Sequence, residues 1–345
     1  ALSRREFKER FQEQLLRVHW RHWSALGVAS HLPPEEHWIL DLEALMVSTW
    51  VIGLADKRLF SASLEWLTKN AEWVNFSRLK RIARVFGQPF PGSDRPLFSE
   101  GLLKRVLGVV QRYAKRRLPL KNINLSEEEL LRDYEVVFGA FRIREIAKPL
   151  EILKPLPLLR IYLRSLWGVD ARVEVLLYLL FNEGGNTLSI AQEVYSNQRN
   201  VYQILETWSK TGVVVKLKSG YSLREKAEWV RFLKLRKRGG YLNWTRTFLF
   251  LDHLAKALET EPWSQEDYLL SSLFRDLEGE AEHMGHALEM AIPKSAAYPG
   301  KGYFEPFAEA VLRMLGKLAR EGGEKPKKVV DKDEVDGESG IVGGL

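Results

Sequence analysis

The sequence predicts a mostly α-helical chain, with multi-helical N- and C-terminal regions flanking a central segment that carries one small β-hairpin. Three observations predict this. Apolar residues recur at three- and four-residue steps through most of the chain, as in Phe7, Phe11, Leu15 and Val18, which is the period of amphipathic helices. One short run, residues 213–217, is dense in β-branched side chains and is followed by a turn and a second short run at 221–223, the pattern of a hairpin. Gly and Pro cluster at a few places, above all 87–97, 148–157 and 239–240, and these punctuate the helices.

Taken in order, the first helix runs over 2–26, and Gly27 with Pro33-Pro34 ends it. A buried helix is expected over 40–54, then helices at 61–69 and 76–86, the latter with Leu79, Ile82, Ala83 and Phe86 on one face. After the loop at 87–97 come helices at 99–117 and 126–141. Ser126 has the chemistry of an N-cap, with three acids in the first turn behind it. The proline-rich stretch 148–157 marks a domain boundary. Beyond 240 the expected helices are 243–260, 264–290 and 303–320. The segment 321–345 has few large apolar residues and many Gly, Lys, Asp and Glu, so disorder is expected there. The expected domains are therefore 1–150, 158–238 and 241–320, with a tail at 321–345.

Composition excludes several classes. Hydrophobic residues are 45% and charged residues 28% of the 345, an ordinary balance for a chain that buries a core. The densest apolar stretch, at 175–181, is far shorter than the roughly 20 residues of a membrane span, and the N-terminal stretch is charged, without the apolar centre of a signal peptide. There is no cysteine, which removes disulfides, thiol catalysis and cysteine-based zinc sites and fits a cytoplasmic location. Eleven tryptophans point to cores built on large aromatics. Lys and Arg number 52 against 45 acids, a mild excess that hints at a polyanionic partner.

Residues 171–224 carry the most information. Val173, Leu176, Leu177 and Leu180 define one helix. Asn186 or Thr187 can cap a short second helix, and a tight turn at Tyr195-Ser196-Asn197 leads into a third, from about Gln198 to Lys210. Val201, Ile204, Leu205 and Trp208 form its core-facing stripe, and Gly212 ends it. Residues 213–217, a turn at 218–220 and residues 221–223 complete the hairpin. The stretch TLSIAQEVYSNQRNVYQILETWSKTGVVVKLKSGYSL resembles the winged helix-turn-helix of prokaryotic transcriptional regulators, such as the ArsR-like and MarR-like groups. The resemblance implies a central winged helix, a third helix that enters the DNA major groove, and a wing, here Lys216, Lys218 and Tyr221, against backbone or minor groove.

Charge agrees with that reading. Residues 196–238 hold eleven Lys or Arg against three acids, an excess larger than that of the whole chain, and such cations neutralise phosphates. Arg199, Asn200 and Gln203 suit guanine and adenine edges. The candidate DNA-binding residues are Ser196, Asn197, Arg199, Asn200, Tyr202, Gln203, Lys210, Lys216, Lys218, Tyr221 and Arg224, with the cluster at 231–238 beside them. Glu206 shares the face and would repel phosphates unless it accepts from a cytosine amino group. Further basic clusters, Arg78-Lys80-Arg81-Arg84 and Arg112-Lys115-Arg116-Arg117, either extend a DNA surface or form solvated helix faces. The expected partner is duplex DNA, and the apolar faces of the helices after Gly240 suggest a homodimer, as a two-fold operator requires.

No catalytic or metal site is expected. His19 and His22, and His283 and His286, are each three apart, but neither pair has a third placed zinc ligand. HWRHW reads more simply as aromatic packing. No P-loop and no G-x-S-x-G elbow occurs, and the paired aspartates of a nucleotidyltransferase do not follow Gly92-Ser93. No cofactor is expected. Residues 50–83 resemble the helical leader of uncharacterised prokaryotic winged-helix proteins encoded beside nucleotidyltransferase-like genes. That resemblance implies a different reading, a protein-interaction or antitoxin-like module that clasps a partner protein. An enzyme on nucleic acid, with a site assembled from His and Glu, is a third.

Overall fold

A computed structural model of the chain describes residues 2–53, 55–89, 96–118, 139–152, 156–235 and 240–319. The helix expected over 126–141 falls outside these except for its last three residues, and the tail at 321–345 and Arg236, Lys237 and Arg238 fall outside them too. The architecture is mostly α with one two-stranded antiparallel sheet, as the sequence predicts.

The N-terminal helices are α1 (Arg4–Ala25), α2 (Leu42–Val51), α3 (Lys57–Asn70), α4 (Phe76–Phe86) and α5 (Glu100–Tyr113). Each starts at a polar cap: Ser3, Asp41, Asp56, Asn75 and Ser99 accept from amides of the first turn, satisfying donors that the helix leaves open. The central helices are α6 (Leu159–Trp167), α7 (Ala171–Phe181), α8 (Thr187–Glu193), α9 (Gln198–Lys210) and, after strands β1 (Val214–Leu217) and β2 (Gly220–Leu223), α10 (Lys226–Phe232). The C-terminal helices are α11 (Trp244–Ala257), α12 (Asp267–Asp276), α13 (Glu278–Ala287) and α14 (Phe304–Leu318). The single helix expected over 264–290 is two. Leu277, buried, sits at the break, which lets α12 pack on α14 while α13 turns to pack on α11.

Two cores form: the segments expected at 1–150 and 241–320 share one, and the segment expected at 158–238 carries the other. The larger combines α1–α5 with α11–α14. Phe7 of α1 stacks edge-on against both Phe274 and Phe304, at 6.0 Å. The apolar faces of the helices after Gly240, which the sequence offered to a second copy, are thus covered within the chain: Phe248, Leu251, Phe307 and Val311 are fully or almost fully buried. Tryptophans anchor this body. Trp23, Trp50, Trp66 and Trp244 are buried, and their indole N–H groups donate to Thr49, Ser63, and the carbonyls of Leu26 and Ile39 at 2.8–3.0 Å, which removes the cost of burying a polar tip. His19 and His22 pack there on Phe248 and Trp244, as expected for HWRHW. The second core belongs to the central module, α6–α10 and the hairpin.

A buried ionic hub joins module to body. Arg78 on α4 grips Asp41, the cap of α2, through both terminal nitrogens at 2.6 Å and reaches Glu43 at 2.9 Å. Arg164 on α6 holds both oxygens of Glu43, at 2.7 and 2.8 Å, and Glu174 on α7 at 2.7 Å. Arg160 pairs with Asp41 at 2.7 Å and with Glu174 at 3.3 Å. Three arginines face three carboxylates, all six nearly inaccessible to solvent, so the hub is neutral. Burial pushes the Asp41 carboxyl up, but the guanidiniums of Arg160 and Arg78 outweigh it and hold the group well below the usual range. Glu43 is held low in the same way, chiefly by Arg164. Arg78 is therefore no surface cation. Its place in the run Arg78-Lys80-Arg81-Arg84 suggests a basic face, but it lies between two cores.

Candidate nucleic-acid interface

The module is built around α9. Val201 and Leu205 are fully buried, with Ile204 and Trp208 half-buried beside them, and this stripe seats the helix on α7 and α8. Asn197 caps it, accepting from the Arg199 amide at 2.8 Å. Gly212, at φ +79°, ends it and turns the chain into β1. The hairpin pairs Val214 with Leu223 and Lys216 with Tyr221, and closes through Lys218-Ser219. A third extended segment joins it. Gly185 and Tyr221 exchange both backbone bonds, at 2.8 and 3.0 Å. The backbones approach so closely that a Cβ on Gly184 or Gly220 would strike the opposing carbonyl. Both residues have positive φ as well, so only glycine fits. The Gly-Gly turn between helices is also a sheet edge.

The face of α9 opposite the stripe is open. Arg199, Asn200, Tyr202, Gln203, Thr207 and Lys210 are all exposed, and half of the Tyr202 surface is accessible. Arg199 and Gln203 stand one turn apart, in the N-terminal half of the helix, and a helix of about 10–12 Å diameter matches the roughly 12 Å width of the major groove. Lys218 projects from the hairpin turn, and Arg224 follows β2. Arg199, Lys210, Lys218 and Arg224 are exposed and make no ion pair among the described residues. Ser196 is half-buried and uses its amide to close the turn on Ala191.

Three residues on this face are already engaged with one another. Lys216 pairs with Glu206 at 2.7 Å and lies over the Tyr221 ring at 5.5 Å. The Tyr221 hydroxyl donates to the same Glu206 oxygen. These hydrogen bonds hold the Glu206 carboxyl below its ordinary range. Tyr221 is buried, and this corrects its reading as a wing contact. Leu223, two residues on, faces the same core, and the alternation of a strand would have placed Tyr221 with it. Glu206 loses its repulsive character to Lys216, and Lys216 is a partly neutralised cation.

The turn that precedes α9 is anchored outside the module. Tyr195 adopts a left-handed backbone, φ +54°, costly for a bulky residue. Its ring packs against the larger core, with the Arg78 guanidinium 5.9 Å above it. Arg78 also donates through Nε to the Val194 carbonyl at 3.0 Å, and Asn243 donates to Glu193 at 2.7 Å.

Elsewhere, His283 contacts Arg246, which pairs with Glu280, so a cation already occupies the vicinity of that histidine. Among the described residues no cluster of three His, Asp or Glu has the geometry of a metal site, and no helix is long and apolar enough to cross a membrane. No family model, curated protein or solved structure matches the chain.

Proposed function

We propose that the chain is a duplex-DNA-binding regulator that reads sequence through α9 and grips the backbone with its short wing. The observation that carries this is the open polar face of α9, with Arg199, Asn200 and Gln203 accessible on a helix whose other side is fixed in a core. Arginine suits the O6 and N7 of guanine, and Asn or Gln suits adenine. Lys210, Lys218 and Arg224 supply phosphate contacts that set register without reading sequence. Neutralisation of Glu206 by Lys216 removes the one charge on the face that opposes a polyanion.

Fluorescence anisotropy on labelled duplexes from about 50 to about 300 mM salt tests the proposal. The three phosphate contacts, each releasing about 0.9 of a counterion, give a log–log slope of roughly −3. Binding that is absent at low salt, or flat with salt, contradicts it. A second reading has one observation in its favour. Leu188 on α8 and Leu217 at the wing each expose about half their surface beside the polar face, which suits a protein partner. A chain that ignores DNA at low salt while Leu188→Asp abolishes capture of a purified partner encoded beside it supports that reading.

A further inference from the structure

We propose that the helical body provides a second duplex-DNA contact, in which Arg81 and Arg84 of α4 hold phosphates flanking the segment read by α9. The inference rests on the DNA reading above and extends it from the winged helix to the body.

Three observations lead to it. First, α4 abuts the turn that feeds α9, because Arg78 donates to the Val194 carbonyl at 3.0 Å and faces the Tyr195 ring. Second, helix geometry carries the next two arginines outward from that point. At about 100° and 1.5 Å per residue, Arg81 lies about 4.5 Å along the axis and 60° round from Arg78, and Arg84 about 9 Å and 120° round. Exposure follows this rotation: Arg78 is buried in the hub, Arg81 half-buried and Arg84 exposed. Neither Arg81 nor Arg84 has an ion-pair partner among the described residues.

Third, α4 is held at a fixed place relative to α9. The six-charge hub, the Asn243–Glu193 bond and the Tyr195 ring all tie the turn to the body. A turn of this kind often carries a glycine. Here a tyrosine takes the left-handed position and inserts its ring into the body. The two cations therefore move with the recognition helix, and no ordering cost separates the two contacts.

The test compares the parent with the Arg81→Gln/Arg84→Gln double variant on two duplexes carrying the same selected site. One spans about one helical turn, and the other about three turns. Neither arginine belongs to the hub, so circular dichroism should show an unchanged fold. On the long duplex, the variant should lower the salt slope by about two and weaken binding on the order of tenfold. On the short duplex, variant and parent should bind alike. An unchanged slope on the long duplex overturns the α4 contact while leaving the α9 reading intact. Equal losses on both lengths also overturn it, because the arginines then act within the central footprint. A parent that binds neither duplex removes the DNA reading and the α4 contact together.

Discussion

Replacing Glu43 by Ala should destabilise the protein by about 3–5 kcal/mol, the usual cost of breaking a buried ion pair from one side. The magnitude follows from the partners left behind. Glu43 accepts four hydrogen bonds: from Arg164 at 2.7 and 2.8 Å, from Arg78 at 2.9 Å and from the Asn75 amide at 2.8 Å. Its loss leaves the hub with three cations and two anions in a space nearly inaccessible to solvent. Arg164 keeps Glu174 and the Trp73 carbonyl, and Arg78 keeps Asp41, so the penalty is that of one uncompensated charge. Urea unfolding followed by circular dichroism should show the midpoint falling by about 1–2 M. The Glu43→Ala/Arg164→Met pair restores neutrality and should recover much of the loss, with a coupling of about 2 kcal/mol or more against the two single variants. A loss below about 1 kcal/mol for Glu43→Ala, or strict additivity in the pair, refutes a closed hub.

Stability should also fall as pH drops from about 6.5 to about 4. Burial lowers the His19 pKa to about 4, so in this window the unfolded chain binds a proton that the folded chain refuses, and about 3 kcal/mol is lost from this residue alone. His22 is pushed down in the same direction. Chemical unfolding at stepped pH of the Asp252→Asn variant, which lacks the buried carboxyl whose titration runs in the opposite sense, checks it, and a flat profile between pH 7 and 4.5 counts against neutral buried histidines. Asp252→Asn should stabilise the protein at pH 7. The His19 Nδ1 donates to the Leu15 carbonyl, so its Nε2 accepts from Ser48, which leaves Ser48 to accept from Asp252. Burial raises the Asp252 carboxyl well above its ordinary value, and the folded state therefore loses stability as pH rises above about 4. Asparagine donates the same hydrogen bond without that penalty, and a lower melting temperature for the variant at pH 7 would show Asp252 to be ionised.

The helices were legible because their apolar stripes are periodic. Residues 76–86 and 198–210 could be bounded from Leu79, Ile82 and Phe86, and from Val201, Leu205 and the glycine at 212. The partner of each stripe was not legible. Phe248 and Phe307 announce a buried face, but nothing local says that α1 covers it rather than a second copy. The hub was hidden for the same reason. Arg160 and Arg164 are one turn apart and could be seen to share a face, yet their carboxylates lie at 41, 43 and 174, and only the tertiary fold brings them together. The break at Leu277 leaves no mark either, since Leu270, Phe274 and Leu277 continue the helical period. In the site, the α9 face was read directly from its stripe. The engagement of Lys216 with Glu206 was missed because it links a strand to a helix ten residues away, whereas the burial of Tyr221 was available from its alternation with Leu223.

The most direct test of α9 as a reading helix compares Arg199→Ala with Lys218→Ala on a selected duplex and on random duplex DNA. Both residues are exposed and outside either core, so both variants should melt like the parent. Loss of Arg199 should weaken binding to the selected duplex about ten- to a hundredfold, the worth of a bidentate contact of roughly 1–3 kcal/mol, and narrow the gap to random DNA. Loss of Lys218 should weaken both duplexes alike and lower the salt slope by about one. If both variants bind the two duplexes as the parent does, α9 does not read DNA.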